Sequence, residues 1–439
     1  IGQIGAVGRL GLTQAKGVVV SLATMDRYGA LGDSIVRQQQ YEWGSSVSRW
    51  NLNAFSWAAR AAHLSGRKFW VDPAAVEGYS GERTDQILAH MLDASAATSY
   101  GPGANKVTVP YGVRAVRPKY AFEMSGTNDL TYYTGGDPSI AAGYRRQIWA
   151  ALRAAGVEPV ALSLLPRGDA YNSAVPTWNA AFAAAAALDG VMWIDIWTTC
   201  QSGGNWKTGY NWKNGAVDPV SGLHPGADGC NAIGAAIAAA ITAKRTEVPT
   251  IVTATAAEIR RAGRAALVPL TSTGWDGLMS SAANWPRRYE PTYVSNRAVG
   301  ADALAQVGNA FSVACAAQAT EFYTDTSSPL LTVTPGARYG VLARFQFDAG
   351  KAKPTPSDTP DSFGIGIYDA AYNPLLAITS GGAMAYSTAG ASIPAGDWYG
   401  EFVVPSGITQ VRFFWEQRTE PGSAGSTVKI AQAGVIGPF

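Results

Sequence analysis

The sequence has little net charge and no long hydrophobic run. Its 34 Lys and Arg residues nearly balance its 32 Asp and Glu residues, which gives a formal net charge of +2 over 439 residues. Nucleic-acid-binding domains carry a clear excess of positive charge, so we expect no nucleic-acid partner. No apolar run reaches the roughly 20 residues that a membrane-spanning helix needs, so we expect no membrane segment.

Cysteine and histidine are also scarce. The three cysteines are Cys200, Cys230 and Cys315, an odd number without metal-ligand spacing. Cys200 and Cys230 flank one long loop and could form a disulfide, and buried free thiols are the other interpretation. Cysteine usage therefore leaves the cellular compartment undecided.

The bulk composition is that of a folded protein with more than one domain. Apolar residues make up 47% of the chain and charged residues 15%, which is enough apolar material for real cores. The length predicts two or three domains. Residues 1–26 are rich in Gly and Ala and are interpreted as a lead-in segment; because the chain begins at Ile1 without Met, a leader or a larger amino-terminal part could precede it.

Strand-like and helix-like patterns alternate over residues 27–245. Apolar residues at 140, 144, 148 and 152 indicate one amphipathic helix, and the apolar run 191–197 indicates a strand buried on both faces. The alternation predicts an α/β domain whose parallel sheet is covered on both sides. A further helix is predicted from four residues on one face: Val47, Trp50, Trp57 and Ala61.

The pattern changes after about residue 245. Residues 246–267 are interpreted as a linker with a short basic helix near 256–266. From 268 to 439, short runs alternate apolar and polar residues between turns rich in Pro and Gly. Two-residue periodicity with frequent turns predicts an antiparallel β-sandwich.

Four short motifs fall on loops after successive predicted strands of the α/β region. A serine in such a loop can act as a nucleophile if a base and oxyanion donors converge on it. The four motifs are Gly32-Asp33-Ser34, Gly78-Tyr79-Ser80-Gly81-Glu82-Arg83-Thr84, Gly126-Thr127-Asn128-Asp129 and Ser221-Gly222-Leu223-His224-Pro225.

The order and spacing of these motifs resemble the SGNH hydrolases, also called the GDSL esterase/lipase family, over residues 27–245. The resemblance implies a flavodoxin-like three-layer α/β/α fold, with Ser34 as nucleophile and His224 as base. It also implies that the Gly81 backbone N–H, the Asn128 side-chain amide and the Ser34 N–H are oxyanion donors. A hydroxyl attacks only when a base removes its proton, and the oxyanion needs fixed donors, so this chemistry requires no metal or organic cofactor.

The two other histidines and the residues beside the motifs have simpler interpretations. His63 and His90 lie in helix patterns, where structural or surface roles are expected. Asp33 and Asp129 are expected to bond local backbone. Arg83 either begins the next helix or holds a substrate group.

The sequence departs from the family in one position. Family members usually carry an aspartate three residues before the histidine, where this chain has Ser221. Asp218 is the nearest preceding acid and could orient the imidazole as the third member of a triad. The alternative is a Ser34–His224 dyad steadied by a backbone carbonyl or by Ser221.

The loop 201–217 suggests the substrate. Its rings Trp206, Tyr210 and Trp212 alternate with amides, a composition suited to stacking on sugars, although a loop packed against the body is the other interpretation. A long aliphatic surface, as at a lipase entrance, is missing. We therefore expect an ester on carbohydrate, O-acetyl foremost, and the rivals are a lipase or thioesterase.

The carboxy-terminal part looks similar to jelly-roll carbohydrate-binding modules, which is an analogy of fold alone. An assembly domain is the rival interpretation and would suit a virion tail or spike protein. The expected partners are thus a polysaccharide or glycan ester, with a homo-oligomer or a virion assembly as further options, outside the cell or on a virion. A non-catalytic carbohydrate-binding or structural virion protein is the alternative to an enzyme.

Overall fold

The structure is a computed structural model of the chain. It describes residues 26–39, 51–52, 56–65, 68–93, 112–211, 222–244, 266–267, 287–289, 294–304, 310–317, 322–328, 330–348, 350, 362–378, 393–419 and 421–438. None of the helices in these ranges is both long and apolar enough to cross a bilayer.

The amino-terminal half contains a five-stranded parallel sheet in the order β3-β1-β4-β5-β6. Two further strands form a hairpin, β7 with β8. The strands are β1 (Asp26–Asp33), β2 (Asn51–Leu52), β3 (Phe69–Tyr79), β4 (Tyr120–Met124), β5 (Glu158–Leu162), β6 (Met192–Ile194), β7 (Gln201–Ser202) and β8 (Asn205–Trp206).

Helices cover both faces of this sheet. They are α1 (Ser34–Arg37), α2 (Trp57–Leu64), α3 (Thr84–Leu92), α4 (Val113–Val116), α5 (Thr127–Tyr132), α6 (Ser139–Ala154), α7 (Val175–Leu188), α8 (Trp197–Cys200) and α9 (Ala227–Lys244), with a 3-10 helix at Ala170–Ala174. Neighbouring residues of β4 show the layering. Phe122 meets Trp57 of α2 at 5.9 Å between ring centroids, whereas Ala121 shares a separate buried cluster with Ile148 of α6. The predicted three-layer α/β/α fold is confirmed.

The carboxy-terminal half contains two antiparallel sheets. A seven-stranded sheet has the order β10-β13-β19-β16-β17-β2 with β14 on β19, and a six-stranded sheet has the order β11-β12-β20-β15-β18 with β9 on β20. The strands are β9 (Ala266–Leu267), β10 (Arg287–Tyr289), β11 (Val294–Gly300), β12 (Ala310–Ala316), β13 (Phe322–Ser327), β14 (Leu331–Thr332), β15 (Arg338–Asp348), β16 (Ser362–Asp369), β17 (Pro374–Ile378), β18 (Ile393–Val403), β19 (Gln410–Thr419) and β20 (Gly425–Ile436).

One apolar core lies between these two sheets. Phe345 of β15 and Val428 of β20 come from the six-stranded sheet, and Phe363 of β16 and Trp415 of β19 from the seven-stranded one. The rings of Phe345 and Phe363 lie 5.3 Å apart. Two sheets that bury one face each against the other fit the predicted β-sandwich.

The two halves contact each other directly. The His63 ring of α2 packs in a tilted arrangement against Phe345 at 4.8 Å between centroids, and Trp70 of β3 packs edge-on against Tyr399 of β18 at 5.4 Å. The short strand β2 pairs in parallel with β17, so the amino-terminal half adds an edge to the seven-stranded sheet. His63, expected to be structural or at the surface, is 5% exposed at this contact.

Three element predictions were wrong in detail. The predicted helix carrying Trp57 does not extend back through residues 51–52, which form β2; α2 begins at Trp57 because the Ser56 hydroxyl accepts from Ala59 N at 3.1 Å. Val47 and Trp50 lie outside the described residues. The strand expected over 191–197 ends at Ile194, because Ser163 Oγ accepts from the N–H groups of Ile196 and Trp197, both at 2.9 Å, and turns the chain into α8.

The third concerns the predicted helix near 256–266, whose last residue, Ala266, lies in β9. The rest of that helix and the lead-in 1–25 lie outside the described residues.

The cysteines are buried free thiols, so the disulfide considered between Cys200 and Cys230 is not formed. Burial raises the pKa of the Cys200 thiol to about 12.

Candidate active site

Ser34 directly follows the carboxyl end of strand β1, which lies between β3 and β4, and it is the first residue of helix α1. Gly32, two positions earlier in β1, must be a glycine, because a Cβ there would lie 2.0 Å from the Met124 carbonyl oxygen of β4. Asp33 caps α1, since its Oδ1 accepts from Ile35 N at 3.0 Å. Close strand contact and the cap together fix where the Ser34 hydroxyl stands.

The Ser34 hydroxyl meets a histidine from the far end of the α/β region. His224 Nε2 lies 2.9 Å from Ser34 Oγ, although 190 positions separate the two residues. Both side chains are half-buried. This distance is within reach for proton transfer from the hydroxyl to the imidazole, which is the arrangement that activates a serine.

The loop that carries His224 is held from two sides. Gln38, just after α1, donates from Nε2 to the Pro225 carbonyl oxygen at 2.7 Å, which ties this loop to the serine turn. From the other side, Trp206 Nε1 donates to the Gly222 oxygen at 2.6 Å, and Gly226 N donates to the Tyr210 oxygen at 2.7 Å. The imidazole is therefore positioned by the hairpin β7–β8 and the turn after it.

The aromatic residues predicted to contact substrate have supporting contacts in the structure. Trp206 and Tyr210 are half-buried against the apolar cluster of the sheet face that carries α9. Their bonds to the histidine loop give the hairpin and the turn after it a positioning role that no sequence pattern indicates. Sugar stacking by these rings stays a prediction, and Trp212 lies outside the described residues.

Two of the three predicted oxyanion donors lie close together, Gly81 on the loop before α3 and Asn128 in the first turn of α5. Gly81 has φ +79°, and a Cβ there would meet no atom within 4 Å, so its backbone faces open space. Asn128 Nδ2 donates to the Glu82 carbonyl oxygen at 2.8 Å, next to Gly81. An amide nitrogen carries two hydrogens, so this bond fixes the side chain and leaves its second N–H for a ligand.

Buried polar contacts fix these loops. Asp129 accepts from Thr84 N at 2.9 Å and from Thr84 Oγ1 at 2.6 Å, and desolvation raises the pKa of this carboxyl. Arg167, 3% exposed, donates from Nη1 to the Thr127 oxygen at 2.6 Å. Asp129 was expected to bond local backbone, and its carboxylate also reaches Thr84, the first residue of α3. Arg167 was missed, because nothing in the local sequence links it to a turn 40 positions away.

Asp33 is an electrostatically unusual neighbour of the Ser34–His224 pair. It is fully buried, and desolvation raises the pKa of its carboxyl from 3.8 to about 6, partly offset by the Ile35 N–H and the nearby His224. Burial therefore disfavours the charged form of this carboxyl, which lies directly beside Ser34.

The third member of the predicted triad is not described. Asp218 and Ser221 lie within 212–221, outside the described residues, and their roles stay predictions. His90 is accounted for: its ring stacks on Tyr79 at 4.3 Å and its Nε2 lies 3.0 Å from Glu82 Oε1. In the described ranges no three His, Cys, Asp or Glu side chains are grouped to hold a metal ion.

Comparison with known families gives the class of protein that this fold and site define. Residues 30–232 match the model of the GDSL-like Lipase/Acylhydrolase family. The protein is a hydrolase that acts on carboxylic esters. Its α/β half is a domain of the GDSL-like lipase/acylhydrolase, or SGNH, family, as the four motifs predicted.

Solved structures similar to the chain cover its α/β half. A GDSL-like lipase from Bacteroides thetaiotaomicron VPI-5482 is 15% identical, over 52% of this chain and 93% of that one, with TM-score 0.34. An aryl esterase of M. smegmatis is 16% identical, over 50% and 99%, with TM-score 0.34. A mutant acetyl-xylooligosaccharide esterase from Geobacillus stearmophilus is 14% identical, over 49% and 94%, with TM-score 0.35. No curated protein matches the chain.

Proposed function

We propose that this chain is a serine esterase that removes ester groups, O-acetyl foremost, from a polysaccharide. The observation that carries the catalytic part is the 2.9 Å contact between Ser34 Oγ and His224 Nε2. It lies at the carboxyl edge of a parallel sheet, where α/β proteins place their ligand sites.

The proposed reaction uses side chains and backbone alone. His224 Nε2 takes the Ser34 proton while Oγ forms a bond to the ester carbonyl carbon, and the carbonyl electron pair moves onto oxygen. The Gly81 N–H, the Asn128 amide and the Ser34 N–H stabilise this oxyanion. The oxyanion then collapses, the carbon–alkoxy bond breaks, and His224 returns the proton to the leaving alcohol.

The second half of the reaction repeats these steps with water. His224 removes a proton from water as its oxygen attacks the acyl-serine, and the carboxylic acid leaves when the proton returns to Ser34 Oγ. Asn128 is an apt donor because a neutral amide stabilises the oxyanion without adding a positive charge that would retain the acid product. Each oxyanion donor of this kind is worth about 10²–10³ in turnover.

The carbohydrate part of the proposal is supported by the residues near the site. The hairpin and turn over 201–211 mix rings with amides and present no long aliphatic surface. The β-sandwich is compatible with a sugar-binding or assembly role outside the cell or on a virion. These features favour a glycan ester over a long-chain lipid.

Acetate release from a panel of acetylated xylo-, manno- and gluco-oligosaccharides tests the proposal, with p-nitrophenyl acetate as a general ester. We expect release from at least one glycan, lost in Ser34→Ala and His224→Ala proteins. Full activity in the Ser34→Ala protein would overturn the assignment. No hydrolysis of any ester would favour a non-catalytic binding or virion protein, and rates that rise with acyl length would favour a lipase or thioesterase.

A further inference from the structure

Tyr132 is an exposed aromatic side chain on the helix that carries Asn128. Its side chain is 61% exposed, and it is the one aromatic residue among the exposed large hydrophobic side chains of the described ranges. It lies four positions after Asn128 in α5, and residues four apart share one face of a helix. The ring therefore stands one turn from a predicted oxyanion donor.

Arg83 holds this ring in place from the neighbouring loop. The guanidinium carbon of Arg83 lies 4.1 Å from the centre of the Tyr132 ring. Its Nε and Nη2 donate to the two carboxylate oxygens of Asp85 at 2.9 and 2.8 Å. The guanidinium orientation is thus already fixed before a ligand binds. The Arg83 and Tyr132 side chains would therefore lose little conformational entropy on binding one.

The stack adjoins two of the predicted oxyanion donors, Gly81 and Asn128. Arg83 comes two positions after Gly81, and the intervening Glu82 accepts the Asn128 amide bond at 2.8 Å. An ester whose carbonyl oxygen points at Gly81 and Asn128 has its alcohol or acyl part beside the Gly81–Arg83 segment and helix α5. The ring and guanidinium are therefore placed to contact the substrate beyond the ester bond.

We propose that Tyr132 and Arg83 form a platform that binds a sugar ring of the substrate next to the acylated unit, an assignment that rests on the proposed esterase function. The apolar C–H face of a pyranose packs on an aromatic face, whose negative quadrupole favours it. Arg83 Nη1 has no hydrogen-bond partner among the described residues and can donate to a sugar hydroxyl. Because Asp85 neutralises the charge of Arg83, the platform suits a neutral sugar. A single ring beside a guanidinium offers no aliphatic surface that a fatty acyl chain could bind.

The test is a ratio of two specificity constants. For each protein, kcat/KM is measured for acetylated xylo-, manno- and gluco-oligosaccharides and for ethyl acetate, a small ester without an aromatic ring. In the Tyr132→Ala protein we expect the ratio of the oligosaccharide value to the ethyl acetate value to fall about 3- to 10-fold, the worth of one aromatic contact. Tyr132→Phe should keep the ratio within about twofold, because the ring supplies the contact.

Leu188→Ala is the matched control, since Leu188 is 77% exposed at the end of α7 and the substitution removes a comparable exposed apolar side chain. Its ratio should equal that of the unmodified protein. An unchanged ratio in Tyr132→Ala, with oligosaccharides still deacetylated, overturns the platform and leaves the esterase standing. Hydrolysis of ethyl acetate without any oligosaccharide overturns the sugar assignment, whereas no hydrolysis of either ester overturns both proposals.

Discussion

At the scale of single residues, the order of the four motifs was enough to predict that Ser34 and His224 meet. Their 2.9 Å contact joins two loops 190 positions apart, and the four motifs in order predicted both residues. What the sequence could not provide is the support around them. Arg167 and Gln38 bond backbone carbonyls of distant turns, and no local pattern marks a side chain for such a contact.

The buried Asp33 predicts a pH-dependent stability. Its folded pKa is raised to about 6 from 3.8, so its contribution to stability is fully present below the unfolded value and is lost as the pH rises through about 6. A shift of about two units corresponds to about 3 kcal/mol. An Asp33→Asn protein lacks this titration and keeps the cap, because its amide oxygen can still accept from Ile35 N.

We therefore expect the free energy of unfolding of Asp33→Asn to gain about 3 kcal/mol relative to the unmodified protein between about pH 3.5 and about pH 7.5. Urea unfolding at both pH values measures this difference, and the titration of other carboxyls cancels between the two proteins. A difference that does not change with pH would show that Asp33 is not the buried acid described above.

Asn128 supplies the second prediction at this scale. If its amide stabilises the oxyanion, Asn128→Ala should lower kcat for p-nitrophenyl acetate about 10²–10³-fold. Loss of its bond to the Glu82 oxygen should cost only about 1 kcal/mol of stability. Gln147→Ala, which removes an exposed amide on α6, is the control and should change neither quantity. A fall in kcat that merely follows loss of folded protein would argue against a role in the reaction.

At the scale of elements, the close approach of strands β1 and β4 explains the glycine of the serine motif. A Cβ at Gly32 would lie 2.0 Å from the Met124 oxygen and 2.7 Å from Val36 Cγ2, so β1 could not keep its register with β4. We expect Gly32→Ala to lower the free energy of unfolding by about 1–3 kcal/mol or more, as overpacking does.

The same substitution at Gly143 is a control, for which we expect the opposite change in the free energy of unfolding. Gly143 lies inside α6, and a Cβ there would meet no atom within 4 Å. Gly143→Ala should therefore stabilise the protein by about 0.5–1 kcal/mol through helix propensity. Chemical denaturation of the two variants measures both effects, and equal effects in the two would contradict the packing argument.

Element boundaries were harder to predict than element types. Strand and helix alternation followed from hydrophobic periodicity, because a sheet covered on both faces needs apolar strands. The ends of α2 and β6 depend instead on hydroxyl groups, Ser56 capping the helix and Ser163 accepting from the turn after the strand. Such bonds form only after the fold has brought the groups together.

At the scale of the whole molecule, the two halves share a packed contact that periodicity could not reveal. The His63 ring packs against Phe345, and a Cβ on Gly396 of β18 would lie 2.4 Å from the His63 ring. β2 adds to the edge of the seven-stranded sheet through β17. The sequence predicted two types of fold in order along the chain, whereas their contact depends on residues that look ordinary in sequence.

The central claim is that Ser34 is a nucleophile activated by His224. Treatment with diisopropyl fluorophosphate followed by peptide mass spectrometry tests it directly, because a bond from Oγ to phosphorus forms as the P–F bond breaks. We predict one adduct, on the peptide containing Ser34, forming at least about 10²-fold more slowly in the His224→Ala protein. An adduct on another residue, or an equal rate in the two proteins, would contradict the account.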